Sequence, residues 1–246
     1  MRIRRYTLFA LLLASLCICG CAQRSISDSG YGASSNSGAR ASNPFYQGEL
    51  SEFDVLGITS DTKVTEAEIR KAAAQKRLFR LPKGSNLMLV QSGAMMPDDH
   101  MVKALSRYYN VSGFSGIPQS SGGGGYSAAL RLAAAKAGIQ KIVVYWGVLE
   151  TSREDSMTKA VSWIPLIGGA IPDESQAMRI RLKVALVDVE TGQWETFSPE
   201  SFGHTASNGR YSRESSDQNQ VDLLKIRAYD AAVAQLVHRY SAVPGQ

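Results

Sequence analysis

The sequence predicts an α+β fold, a mixed β-sheet with helices packed mainly on one face in the order β-α-β-α-β-β-β-α. Three observations predict it. The run "KIVVYWGVLET", residues 141–151, is β-branched and aromatic almost throughout, as a buried strand is. Met178, Ile180, Leu182, Val184 and Leu186 alternate with Arg179, Arg181 and Lys183, the period of a half-exposed strand. Near the end, Val221, Leu224, Ala228, Ala231, Ala232 and Leu236 fall within a stripe about 140° wide at ~100° per residue, the apolar face of a helix.

Before this domain come three segments of different composition. Residues 1–20 carry Arg2, Arg4 and Arg5, then an apolar run from Leu8, and no acid. The run is too short to cross a bilayer, which needs about 20 apolar residues. A basic start, a short apolar stretch and small residues after it make a secretory signal peptide. Residues 21–49, "CAQRSISDSGYGASSNSGARASNPFYQGE", are dominated by Ser, Gly, Ala and Asn and read as a flexible tether. Over residues 22–44 such a coil has a root-mean-square reach of about 25–30 Å. Residues 50–85 form an N-terminal helical segment: Thr65 followed by Glu68 is a capping box that opens a helix from Glu66 to about Phe79.

The α/β domain spans 86–246. "NLMLVQSGA" is its first strand, and a helix opened by Pro97 follows, with Asp98 and Asp99 at its positive end. "VSGFSGIP" is a short strand. "SSGGGGYSAALRLAAAKAG" is a Gly-rich loop and an alanine-rich helix stopped by Gly138. Thr191-Gly192 turns the strand ending at Asp188 into "QWETFSPE", and 206–220 is a polar loop before the last helix.

Charge and cysteines narrow the chemistry. Removal of the first 20 residues takes three of the 27 basic residues and none of the 22 acidic ones, so the remainder is nearly balanced and does not fit a nucleic-acid partner. Cys17, Cys19 and Cys21 are the only cysteines, which rules out a disulfide framework, a cysteine nucleophile or a Cys-rich zinc site after Cys21. The glycines at 122–125 lack the "GK[ST]" of a P-loop, no "GxSxG" occurs, and His100, His204 and His238 form no "HExxH". No cofactor or metal is expected, and no catalytic residue stands out.

The insert "AVSWIPLIGGAIPDE", 160–174, lies between two strands. Trp163, Ile164, Leu166, Ile167 and Ile171, broken by Pro165, Gly168, Gly169 and Pro172, cannot form a long helix. An apolar loop there folds onto its own core, meets a partner or enters lipid, and exposed apolar patches usually mark interaction sites. Trp163, Ile164, Pro165, Leu166, Ile167 and Ile171 are therefore the candidate interaction residues.

"ICGC", Ile18 to Cys21, resembles the lipobox of bacterial lipoproteins, in which a small residue precedes a lipidated cysteine. Gly20 before Cys21 fits; Leu16 and Ile18 before the other two do not. The resemblance implies lipidation at Cys21 and, with Ala22 rather than aspartate following, an outer-membrane, periplasm-facing location. "AAAKAGIQKIVVYWGVLE" and "RLKVALVDVETGQ" resemble the curli-secretion-channel and penicillin-binding-protein-activator lipoproteins, where a strand ends "hydrophobic-Asp-x-x-Thr-Gly", here Val187 to Gly192. Channel members carry long hairpins that build a barrel; the insert here is too short and too interrupted. The function expected is a membrane-anchored binding or scaffold module acting through an envelope protein partner. The alternatives are an oligomeric secretion or assembly component and a hydrolase without a recognisable motif.

Overall fold

A computed structural model describes residues 22–29, 43, 45–58, 63–74, 79–118, 125–154, 175–207 and 213–241. Among them are seven strands: β1 (Ala22–Ser25), β2 (Asn86–Gln91), β3 (Asn110–Phe114), β4 (Lys141–Glu154), β5 (Ser175–Asp188), β6 (Trp194–Phe197) and β7 (Phe202–Ser207). Five α-helices accompany them: α1 (Glu52–Leu56), α2 (Glu66–Ala74), α3 (Asp99–Ser106), α4 (Tyr126–Lys136) and α5 (Arg213–Tyr240).

The sheet is built around β4 and β5, two antiparallel strands of 14 residues each, in register from Lys141↔Asp188 to Glu154↔Ser175. Their two halves have different neighbours. In the distal half the order is β3-β2-β4-β5-β6, with β2 parallel to both β3 and β4. In the other half β1 pairs with β4 and β7 with β5, both antiparallel.

Most of the described helix lies on one face. There α3 and α5 cover Leu87, Leu89, Val143, Tyr145, Ile180 and Leu186, in a core where Tyr145 and Tyr229 stack edge-on at 5.7 Å. On the other face α1 and α4 cover Met88, Val90, Ile142, Val144, Ala185 and Val187. At about 25 cal/mol per Å² of apolar area, these strand residues, buried from both sides, are the main source of stability. The mixed sheet and its order of elements agree with the sequence reading.

Three boundaries differ from expectation. Residues 22–29, expected as the start of the tether, lie in the fold as β1 and a 3-10 turn over Ile26–Asp28. One buried isoleucine and hydrogen-bonded serines hold the segment, and composition gives little sign of either. β7 occupies residues expected as the margin of a loop, its edge position needing no apolar alternation. α5 begins at Arg213, within the expected polar loop, since polar residues extend a helix whose apolar stripe starts only at Val221. α2 is described as far as Ala74 with its capping box formed: Thr65 N donates to Glu68 Oε2 at 2.8 Å, and none of its residues is buried. That box holds the Glu68 carboxyl below its usual range.

Candidate functional site

The lipobox cysteine and the apolar insert both fall outside the described residues, but the strands that flank them are described. Cys21 is joined directly to Ala22, the first residue of β1. Ala22 lies opposite Thr151, and Thr151 lies opposite Met178. The chain enters the insert region after Glu154 and leaves it at Ser175, residues that face each other across the hairpin. The described strand ends to which both are joined, Ala22 of β1 and Glu154 and Ser175 of the β4–β5 pair, therefore lie toward the same end of the sheet.

β1 is clamped into that end by one apolar contact and a polar network. Ile26 is 1% exposed and fits over Gly147, where an added Cβ would lie 2.4 Å from Ile26 Cδ1. Only glycine allows this approach. Ser25 Oγ caps the 3-10 turn by accepting from Ser27 N at 3.0 Å. Ser27 Oγ donates to Ser92 O at 2.6 Å and accepts from Gln91 Nε2 at 3.0 Å.

Gln91 stands at the carboxyl end of β2, where Asp98 N donates to its Oε1 at 2.7 Å and Tyr145 OH donates to the same atom. Asp98 Oδ2 accepts from Tyr229 OH and, at 3.0 Å, from Lys225 Nζ. Lys225 completes the circuit by donating to Ser29 O at 3.1 Å. Burial first, then the neighbouring Asp98 charge, pushes the Tyr145 phenol well above its usual range; for Tyr229 burial is followed by Tyr145 and Asp98. Both remain neutral hydroxyl donors. Such a circuit fixes geometry because any member left alone would be a buried unpaired group.

The chain leaves this clamp at Ser29 and has returned by Asn43, whose backbone N donates to Asp28 Oδ1 at 2.9 Å and whose Nδ2 donates to Ser27 O at 3.0 Å. Leu50 N then donates to Ser92 Oγ at 2.7 Å, and Trp146 Nε1 to Leu50 O at 2.8 Å. Between these, burial raises the Glu49 carboxyl, and burial with the Glu49 charge raises Tyr46.

The sheet face at this end is polar. Arg179 Nε donates to Glu150 Oε2 at 2.7 Å, Arg181 pairs with the same carboxylate, and Gln23 Nε2 reaches Glu150 Oε1 at 3.2 Å. These bonds, Arg179 foremost, hold the Glu150 carboxyl below its usual range. The arginine side chains are each 53% exposed.

The family model for YafT bacterial lipoproteins matches residues 51–239. The chain belongs to the YafT bacterial lipoprotein family. It is thus a membrane-anchored lipoprotein. No curated protein sequence matches it. Among solved structures it is similar to the PelC dodecamer from Paraburkholderia phytofirmans, with 14% identity, TM-score 0.26, and coverage of 64% of this chain and 95% of that one. Lipoprotein GNA1162 from Neisseria meningitidis matches at 12% identity and TM-score 0.27, over 63% and 99% of the two chains. The hypothetical protein CT253 from Chlamydia trachomatis matches at 13% identity and TM-score 0.29, over 63% and 95%.

In this YafT-family chain the "Asp-x-x-Thr-Gly" stretch is a turn at the opposite end of the sheet. Asp188 Oδ1 accepts from Thr191 N at 2.7 Å and Thr191 Oγ1 at 2.8 Å, while Lys141 pairs with Oδ2. Gly192 has φ +70°, and a Cβ there would meet Arg131, which donates to Val189 O and Glu190 O. The motif shapes a corner. His100 and His238 are exposed on α3 and α5, and His204 is in β7. Among the described residues no group of three or more His, Cys, Asp or Glu could hold a metal, and no helix is long and apolar enough to cross a membrane. The sequence reading passed over Ser27, Gln91, Asp98, Tyr145, Lys225 and Tyr229 as a group. Their only sequence signal is a tyrosine and a glutamine at strand positions otherwise filled by apolar residues.

Proposed function

We propose that this YafT-family lipoprotein is a binding or scaffold module, held by acyl chains on Cys21 to the periplasmic side of the outer membrane, that recruits an envelope protein. The observation that carries the reading is the chain order at one end of the sheet: Cys21 is followed at once by β1, and β1 pairs beside the hairpin from which the apolar insert issues. Sulfur takes a diacylglyceryl group and the freed amine a third chain. At about 0.8 kcal/mol per buried CH₂, several chains anchor the domain stably. Trp163, Ile164, Pro165, Leu166, Ile167 and Ile171 supply the apolar contact to the partner, an envelope protein met at the same membrane surface as the anchor. The kinship to the curli-secretion-channel and penicillin-binding-protein-activator lipoproteins belongs to the same proposal.

Photocrosslinking from intact envelopes at residue 163 tests it. A discrete protein adduct is expected. Replacing Trp163 and Ile164 by Ser should abolish partner recovery while Cys21 acylation and thermal stability stay unchanged. Undiminished recovery by the doubly substituted chain would remove the insert from the proposal.

A further inference from the structure

The structure bears on how the body meets the bilayer. A lipoprotein body on a free linker of about 23 residues would move within some 25–30 Å of its anchor. Here no residue separates Cys21 from ordered sheet: Ala22 pairs with Thr151, Gln23 with Glu150, Arg24 with Leu149 and Ser25 with Val148. Ile26 beneath Gly147, and Ser27 and Ser29 within the Gln91–Asp98–Lys225 circuit, secure the strand from its other side. Resting on the proposed acylation of Cys21, we infer that β1 is a rigid coupling that seats one end of the sheet on the phospholipid headgroups, with the body in a single orientation.

Two further observations support the bilayer as occupant of that end. The backbone of β4 continues three residues past Thr151, to Glu154, and β5 begins opposite it at Ser175. At ~3.4 Å per residue this places the described hairpin about 10 Å beyond the level of Ala22, comparable with the headgroup layer. The charge suits the same partner. The paired segments 22–25, 148–151 and 178–181 hold Arg24, Arg179 and Arg181 against the single acid Glu150, and both strand arginines are half exposed. Arginine forks match phosphate oxygens, and each basic residue near an anionic surface contributes about 1 kcal/mol. The far end, with the exposed residues Lys136, Glu190 and Thr191, then points into the periplasm.

The full chain, processed and acylated in its host membrane and reconstituted into phosphatidylethanolamine–phosphatidylglycerol vesicles, permits a direct test. With no cysteine after Cys21, Gln23→Cys, Arg179→Cys and Glu190→Cys each introduce a single labelling thiol. A fluorophore at 23 and at 179 should lose most of its emission to headgroup-quencher lipids, and one at 190 should lose none. Inserting a Gly/Ser linker of about 20 residues between Cys21 and Ala22, with a reach of about 25 Å, should abolish the quenching at 23 and 179. Intact mass is read on every sample. Acylated chains quenched equally at all three positions, or equally with and without the linker, would overturn the rigid seating and leave the anchor in place. Bare Cys21 would overturn both.

Discussion

The two halves of the β4–β5 pair are made from the same strands and differ in almost everything around them. In the distal half, Ile142 to Tyr145 and Val184 to Val187 are all buried, because α3 and α5 cover one face and α4 with α1 covers the other. In the proximal half Leu149, Ile180 and Leu182 still face the core, but Glu150, Arg179 and Arg181 face outward. The distal half is a sandwich interior, stabilised chiefly by buried apolar area, with polar contacts at the turn that ends it. The proximal half has one covered face and one polar face, and a polar circuit takes over part of the work of apolar burial. A strand buried on both sides sets the fold; one left open on a side is available to meet something else.

Substitutions should separate the halves by size and kind of effect. Leu186→Ala, in the distal interior, should cost about 3 kcal/mol or more in urea unfolding through the cavity it leaves. Asp98→Ala, in the circuit, should cost about 3 kcal/mol, because Lys225 is then buried without its carboxylate. Replacing both Asp98 and Lys225 by apolar residues should recover much of that loss, which no double substitution built around Leu186→Ala should do. Equal loss from the single and double changes would mean that the circuit does not act as a unit.

Gly147→Ala is the sharper probe of β1. A methyl group 2.4 Å from Ile26 Cδ1 should displace the turn and cost about 1–3 kcal/mol. Combined with Ile26→Ala the loss should be less than additive, since the smaller side chain makes room. Strict additivity would place Ile26 elsewhere.

Acid should weaken the distal turn. Burial raises the Asp188 carboxyl, but hydrogen bonds from Lys141 and Thr191 outweigh it and hold the group below its usual range. A lowered folded-state pKa gives stability that is present above the unfolded value, near about 3.9, and is lost as pH falls through the folded value. Urea midpoints of Asp188→Asn should therefore fall less steeply below about pH 4 than those of the native chain. The smallest effect is expected at the polar face, where Arg179→Ser with Arg181→Ser should change stability by less than about 1 kcal/mol, because half-exposed ion pairs contribute little. A larger loss would make that face structural.

The contrast between the halves also explains what could be read in the sequence. The distal interior was legible because continuous runs such as Ile142 to Tyr145 have few other uses, and the alternation from Met178 to Leu186 marked the half-open strand directly. The Thr65–Glu68 box and the Thr191-Gly192 turn were local chemistry and formed as expected. β1 was hidden because Ala22–Ser25 pairs through its backbone, and the serines that secure it look like linker residues until Gln91 and Lys225 are brought to them. β7 and the first turns of α5 were missed for a related reason: polar residues in an edge strand or at the start of a helix look like loop. The clamp joins positions from 27 to 229, a separation that no local pattern reports. Of the candidate site, the lipobox and the insert were visible as composition; that the strands flanking them meet at one end of the sheet came only from register.

Hydrogen exchange on the mature, full-length protein tests most directly whether the segment after Cys21 belongs to the fold. Peptides covering residues 22–29 should exchange at least about a hundredfold more slowly than an unstructured chain, and Gly147→Ala should erase much of that protection. Exchange of the same amides at the rate of a free coil would contradict the clamp, and with it the fixed seating on the bilayer.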